Sequence, residues 1–143
     1  GWGGLAEEIM HRQAKSITGL TLSAAQLDFA RERLRRFVDD KRCDLRLEDY
    51  RDITGSYDRV VSIEMLEAVG QEYWPTYFQS LTRLLKPMGR ACVQSIVIRD
   101  DLFDRYIRST DFIQQYIFPG GCLPCPREFK TNSGTSHSTS KIC

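Results

Sequence analysis

The chain has 143 residues, 41% of them hydrophobic and 27% charged, and its 20 lysines and arginines against 19 acids leave a formal net charge of +1. That length holds one domain at most, and the composition is that of a folded soluble domain, not of a disordered one. Near-neutral charge supplies no general field for nucleic acid, and no run approaches the roughly 18 apolar residues of a membrane-spanning helix. The opening Gly1-Trp2-Gly3-Gly4 has neither the basic nor the apolar region of a signal peptide, and it reads as the interior of a longer sequence.

In chain order, Leu5 to Ala14 is predicted as a helix, with Leu5, Ile9 and Met10 at helical spacing and Glu7 and Glu8 early. Ser16 to Leu22 is rich in β-branched and aliphatic residues and is predicted as a strand. Ser23 is then a natural N-cap, with Gln26 at the capping-box position. The helix it opens carries Leu27, Ala30, Leu34, Phe37 and Val38 on one face, and Arg31, Arg33, Arg35, Arg36, Lys41 and Arg42 on the other. That basic face reads as a solvated surface before it reads as a lipid contact. Asp44 to Glu48 alternates as a short strand, and Asp58 to Glu64 is a strand whose apolar middle suits cover on both faces. Trp74 to Lys86 is a helix carrying Tyr77, Phe78, Leu81, Leu84 and Leu85, closed by Pro87 and Gly89. Ala91 to Ile98 is a longer strand, followed by aromatic helical material from Leu102 to Phe118. Strands separated by helices predict a parallel α/β sheet.

The five cysteines are Cys43, Cys92, Cys122, Cys125 and Cys143, an odd number that reads as free thiols. Cys122 and Cys125 form a single C-x-x-C inside a Gly- and Pro-rich turn, where structural thiols fit better than zinc or redox chemistry. Thr131 to Ser140 holds eight Ser, Thr or Asn residues with a glycine and His137, and reads as a low-complexity, disordered tail.

Ligands of α/β sheets bind at the carboxyl ends of the strands, here Thr21 to Ser23, Asp49 to Asp52, Glu64 to Gly70, and Gln94 onward. The opening glycines before a helix allow a backbone and a helix N-terminus to approach an anionic or dipolar ligand, or serve only a turn. Glu64 and Glu67 lie three apart after an apolar strand; both face one cleft if the chain turns helical there, or one caps the helix and the other is solvated.

Several strings together resemble the cyclopropane-fatty-acyl-phospholipid synthase family. They are Gly1-Trp2-Gly3-Gly4, Gly19-Leu20-Thr21-Leu22-Ser23 with Gln26, Asp49-Tyr50-Arg51-Asp52, Asp58 to Gly70, Tyr77-Phe78, Leu85-Lys86-Pro87 with Gly89, and Tyr116-Ile117-Phe118-Pro119-Gly120-Gly121 with Leu123-Pro124. They run in family order over residues 1–129. The resemblance implies an α/β, Rossmann-like class I methyltransferase sheet with helices on both faces. It implies a part of one, since the family has a strand ending in Gly-Cys before the opening glycines and continues well past the proline-glycine motif. Residues 130–143 then form the tail.

The resemblance implies S-adenosyl-L-methionine as methyl donor. Gly1, Trp2 and Gly3 would lie along its methionine portion, Thr21, Leu22, Ser23 and Gln26 on the ribose side, and Asp49 and Tyr50 along the adenine. Thr21 stands where most methyltransferases of this sheet carry a ribose-gripping acid. The implied reaction adds a methyl to the cis double bond of an unsaturated phospholipid acyl chain. Bicarbonate then takes a proton so that a cyclopropane closes. Glu67 matches the carboxylate that holds the bicarbonate, and Gln94 stands where many members have histidine; an amide donates a hydrogen bond but does not titrate. A methyl branch or a retained methylene therefore stands beside the ring as product. The implied location is cytoplasmic and peripheral to the membrane, with no metal and no nucleic acid. A related methyltransferase acting on a small molecule, or an inactive remnant, are the competing readings, and the 143 residues are expected to be poorly stable and inactive by themselves.

Overall fold

The structure is a computed structural model that describes residues 1–108, 120–134 and 141–142. The chain divides into two compact units, Gly1–Ile53 and Thr54–Cys143.

In the first unit, helix α1 (Gly4–His11) precedes strand β1 (Ile17–Thr21), helices α2 (Ala24–Arg33) and α3 (Arg35–Asp39), and strand β2 (Cys43–Leu47). β1 and β2 pair in parallel, from Ile17 opposite Cys43 to Thr21 opposite Leu47. A parallel pair needs a long crossover, which α2 and α3 supply. Gly19 sits opposite Leu45, and a Cβ there would come within 2.8 Å of Leu45 Cδ2, so the glycine makes room for the neighbouring strand's side chain. Met10, Leu27, Ala30, Leu34, Cys43 and Ile53 form the buried core of this unit.

The continuous helix predicted after Ser23 is instead two helices. Leu34 leaves helical geometry at φ −102 and ψ 11. It is wholly buried, and the change of direction lets α3, which carries Phe37 and Val38, pack on β2. Half of the basic face is also spent inside the unit. Arg33 pairs with Glu7 at 2.7 Å and Arg31 donates to the Leu45 carbonyl at 3.2 Å. Arg42 donates to the Ala14 carbonyl at 2.6 Å and lies 5.8 Å from the Phe37 ring.

In the second unit, strand β3 (Tyr57–Ile63) leads through two single 3-10 turns, Leu66–Ala68 and Gln71–Tyr73, into helix α4 (Trp74–Leu84) and strand β4 (Leu85–Gln94). Helix α5 (Asp100–Tyr106), helix α6 (Pro126–Gly134) and the short strand β5 (Lys141–Ile142) follow. The sheet order is β3-β4-β5 with every pairing parallel. α4 closes one face: its predicted stripe of Tyr77, Phe78, Leu81, Leu84 and the adjoining Leu85 is buried, and the Tyr77 hydroxyl donates to Ser62 Oγ at 2.7 Å.

Two expectations for this sheet need correction. β3 is not covered on both faces, because its inward positions meet α4 while Val61 and Ile63 stay 42% and 46% exposed. β4 begins and ends earlier than the predicted Ala91 to Ile98. Tyr57 pairs with Leu85 and Arg59 with Arg90, so the extra residues of β4, with Pro87 and Gly89 among them, form a bulge. After Gln94 the backbone turns to other partners, since the Ile98 amide donates to the Pro124 carbonyl at 3.0 Å. Of the aromatic helical material, Asp100–Tyr106 is helix and residues 109–119 lie outside the described residues. α6 runs into the segment read as a tail, where Thr131 and Asn132 bond back to the carbonyls of Arg127 and Glu128 at 3.0 and 2.8 Å. Residues 135–140 and 143 lie outside the described residues.

The parallel α/β character is as predicted. Among the described residues, β1 pairs only with β2, and β3 only with β4. The resemblance implies a strand between those two open edges, and none of the described residues supplies it.

Candidate functional site

The first unit gathers polar groups where β1 and β2 end. The Glu48 amide donates to the Thr21 carbonyl at 3.2 Å, which holds the two strand ends side by side. Beyond β1, the Ser23 amide donates to Thr21 Oγ1 at 3.1 Å, and the Thr21 hydroxyl donates to Gln26 Oε1 at 2.8 Å. Ser23 Oγ accepts the Gln26 amide at 3.3 Å, the N-cap bond expected for α2. Thr21 thus holds the side-chain amide of Gln26 by its oxygen, and the NH2 end of that amide is a donor. Leu22, between them, is 74% exposed.

At the opening, Gly3 has φ +82, and a Cβ there would lie 3.1 Å from the Ala30 Cβ, so the backbone rests directly on α2. A Cβ on Gly1 would meet nothing within 4 Å. Trp2 stands edge-on to Phe29 at 5.5 Å between ring centroids. After β2, Asp49 holds Arg51 through both carboxylate oxygens, at 2.9 and 2.7 Å, and accepts the Arg51 amide at 2.9 Å. These bonds from Arg51 keep the Asp49 carboxyl below the usual carboxylate range, and burial pushes the neighbouring Tyr50 hydroxyl up. Asp49 therefore braces its own loop, and neither oxygen is left free.

In the second unit the two candidate carboxylates part company. Glu64 is exposed, with φ 49, and its amide donates to the Gln94 carbonyl at 2.9 Å. Glu67 turns inward from the first 3-10 turn: its Oε1 accepts the Ile96 amide in a short hydrogen bond, and its carbonyl accepts the Cys122 amide at 2.9 Å. Oε2 is buried with no hydrogen-bond partner among the described residues. A buried acceptor without a donor is costly, and a water or a ligand that donates to it would satisfy it. Gln94, the last residue of β4, is exposed and lies in register with Ile63 at the same end of the sheet. The partners of Glu67 carried no signal in the sequence beyond the motif that contains Cys122.

Cys122 and Cys125 are buried; burial first, then Glu72 and Cys125, pushes the Cys122 thiol up to about 11, and burial also raises that of Cys125. Both are protonated and unreactive at neutral pH. Among the described residues no group of three or more His, Cys, Asp or Glu is placed to hold a metal ion.

Parallel strands, a glycine-rich opening seated on a helix and polar strand ends fit a Rossmann-like α/β fold. A solved mycolic acid cyclopropane synthase complexed with SAH and CTAB has it: TM-score 0.82, 23% identity, over 96% of this chain and 51% of that one. The chain belongs to the mycolic acid cyclopropane synthetase family, which it matches over residues 1–140. It is 42% identical over 124 residues to a tuberculostearic acid methyltransferase of Mycobacterium tuberculosis, covering 87% of this chain and 29% of that protein. It is 36% identical over 133 residues to the cyclopropane-fatty-acyl-phospholipid synthase of Escherichia coli K12, covering 93% and 33%. The chain therefore spans about a third of the length of these curated relatives.

Proposed function

We propose that these residues form part of an enzyme that methylates the cis double bond of unsaturated phospholipid acyl chains at the cytoplasmic face of a membrane, with bicarbonate as proton acceptor. The observation that carries this reading is the buried, unpartnered Oε2 of Glu67 in a chain of this family.

The residues present fit the two bound groups. S-adenosylmethionine supplies an electrophilic methyl on a sulfonium. Gly1 and Gly3 leave room for its methionine portion, and the Gln26 NH2, aimed by Thr21, offers donors to ribose oxygens. The Asp49 loop, held by Arg51, lines the adenine side with Tyr50. Bicarbonate carries a hydroxyl that can donate to Glu67 Oε2, and the Glu67 backbone and Oε1 are already fixed. Gln94 offers an amide N–H to the same anion without titrating. A fixed anion site beside an alkene supplies the proton acceptor that no apolar pocket contains. The product is a cyclopropane, or a methyl- or methylene-branched chain. We infer that the 143 residues alone do not turn over, since among the described residues one edge of β1 and one edge of β3 are unpaired.

The test is expression from the native reading frame in bacteria unable to modify their own unsaturated lipids, with mass spectrometry of the acyl chains. A gain of one methylene with the double bond lost establishes the ring. The same gain with the double bond kept shows a methylene product, and a further two hydrogens show a methyl branch. Unchanged chains from a well-expressed protein that binds S-adenosylmethionine would sink the lipid reading.

A further inference from the structure

Glu67 is a knot between separate segments of the second unit. Its side chain takes the Ile96 amide from the run after β4, and its carbonyl takes the Cys122 amide from the loop before α6. That loop is fastened again at each of the next two residues. The Leu123 amide donates to the Tyr106 hydroxyl at 3.1 Å, and the Pro124 carbonyl accepts the Ile98 amide at 3.0 Å. Pro124 and Cys125 are fully buried, so the loop is packed as well as bonded.

Tyr106 is the last residue of α5, and α5 is itself held firmly. Phe103 is buried with its ring 6.3 Å from that of Trp74, and Asp100 accepts the Arg127 amide at the start of α6 at 2.9 Å. The hydroxyl is thus a fixed acceptor. It receives the amide directly after the one that holds Glu67. The Ile98 bond to Pro124 is main chain to main chain and needs no side-chain atom; the Leu123 fastening depends on one side-chain oxygen.

We propose that Tyr106 is a positioning residue for Glu67. Its hydroxyl fixes Leu123, Leu123 fixes the adjoining Cys122 amide, and that amide holds the 3-10 turn from which Glu67 aims its unpartnered oxygen. The proposal rests on the reading of Glu67 as a bicarbonate-holding carboxylate.

The test is Tyr106→Phe, which keeps the ring and removes the oxygen, in the protein expressed from its native reading frame. Amide hydrogen exchange at Cys122 and Leu123 is expected to accelerate about five- to tenfold, as loss of one net hydrogen bond of about 1 kcal/mol implies, with no change along β3. The bicarbonate concentration for half-maximal rate is expected to rise about tenfold while the Kd for S-adenosylmethionine stays as it was. Unchanged exchange at Cys122 overturns the proposal, and so does faster exchange with an unaltered bicarbonate response. A wild-type protein that ignores bicarbonate overturns the reading of Glu67, a failure distinct from that of the clamp, which the exchange rates decide on their own.

Discussion

Thr21 uses both capacities of its hydroxyl inside one turn, accepting from the Ser23 amide and donating to Gln26. An acid at this position would have repelled Gln26 Oε1; in the proposed reading, threonine leaves the contact with ribose to the amide. Thr21→Val keeps shape and removes the bond, so the Gln26 side chain loses its anchor. The expected loss in S-adenosylmethionine affinity is about tenfold, measured by calorimetry. Glu67→Gln keeps an acceptor for the Ile96 amide but replaces an unpartnered acceptor by a donor. Turnover is expected to fall about a hundredfold or more while urea unfolding shifts by no more than about 1 kcal/mol. Cys122 gives a pH signature. Its thiol titrates near 11 when folded and near 9 when unfolded, so folding favours the protonated form. Its contribution is complete below pH 9 and is lost as pH rises through 11. Urea midpoints are expected to decline over that window, and less steeply in Cys122→Ala. At this scale the sequence named Thr21, Gln26 and Glu67 through motif strings, but not Ile96 or Tyr106. Hydrogen bonds between distant segments leave no local pattern to read.

Helix α4 was legible because its apolar positions recur at the helical period and all of them are buried. A polar contact on that face joins the helix to the sheet, Tyr77 to Ser62 on β3, with both residues buried. Tyr77→Phe leaves the Ser62 hydroxyl without its partner in a dry interface. The expected cost is about 1–3 kcal/mol in urea unfolding of the protein expressed from its native reading frame, more than an exposed hydroxyl would cost. Element boundaries were less legible. Pro87 and Gly89 mark the end of a helix as read locally, yet strand pairing resumes at once at Leu85 and carries those residues as a bulge. The break at Leu34 has no proline or glycine to announce it; burial of Leu34 together with the seating of α3 on β2 decides it.

Both units pair their strands in parallel, and parallel sheets are stable when several strands share a sheet covered on both faces. The first unit has only β1 and β2, and the second leaves Val61 and Ile63 exposed on one face of β3. Among the described residues, nothing pairs with one edge of β1 or with one edge of β3. The Rossmann-like class was legible from the alternation of helices and strands. Division into two units, Gly1–Ile53 and Thr54–Cys143, was not. The 143-residue polypeptide alone is therefore expected to unfold without cooperativity and to catalyse nothing. Its two tryptophans report separately: Trp2 belongs to the first unit and Trp74, buried, to the second. In a Trp2→Phe variant, fluorescence follows the second unit alone while far-ultraviolet circular dichroism follows the whole chain. The two urea transitions are expected to be broad and to have different midpoints. One sharp transition seen identically by both probes would mean that the open edges cost little, and the proposed inactivity would lose its physical ground.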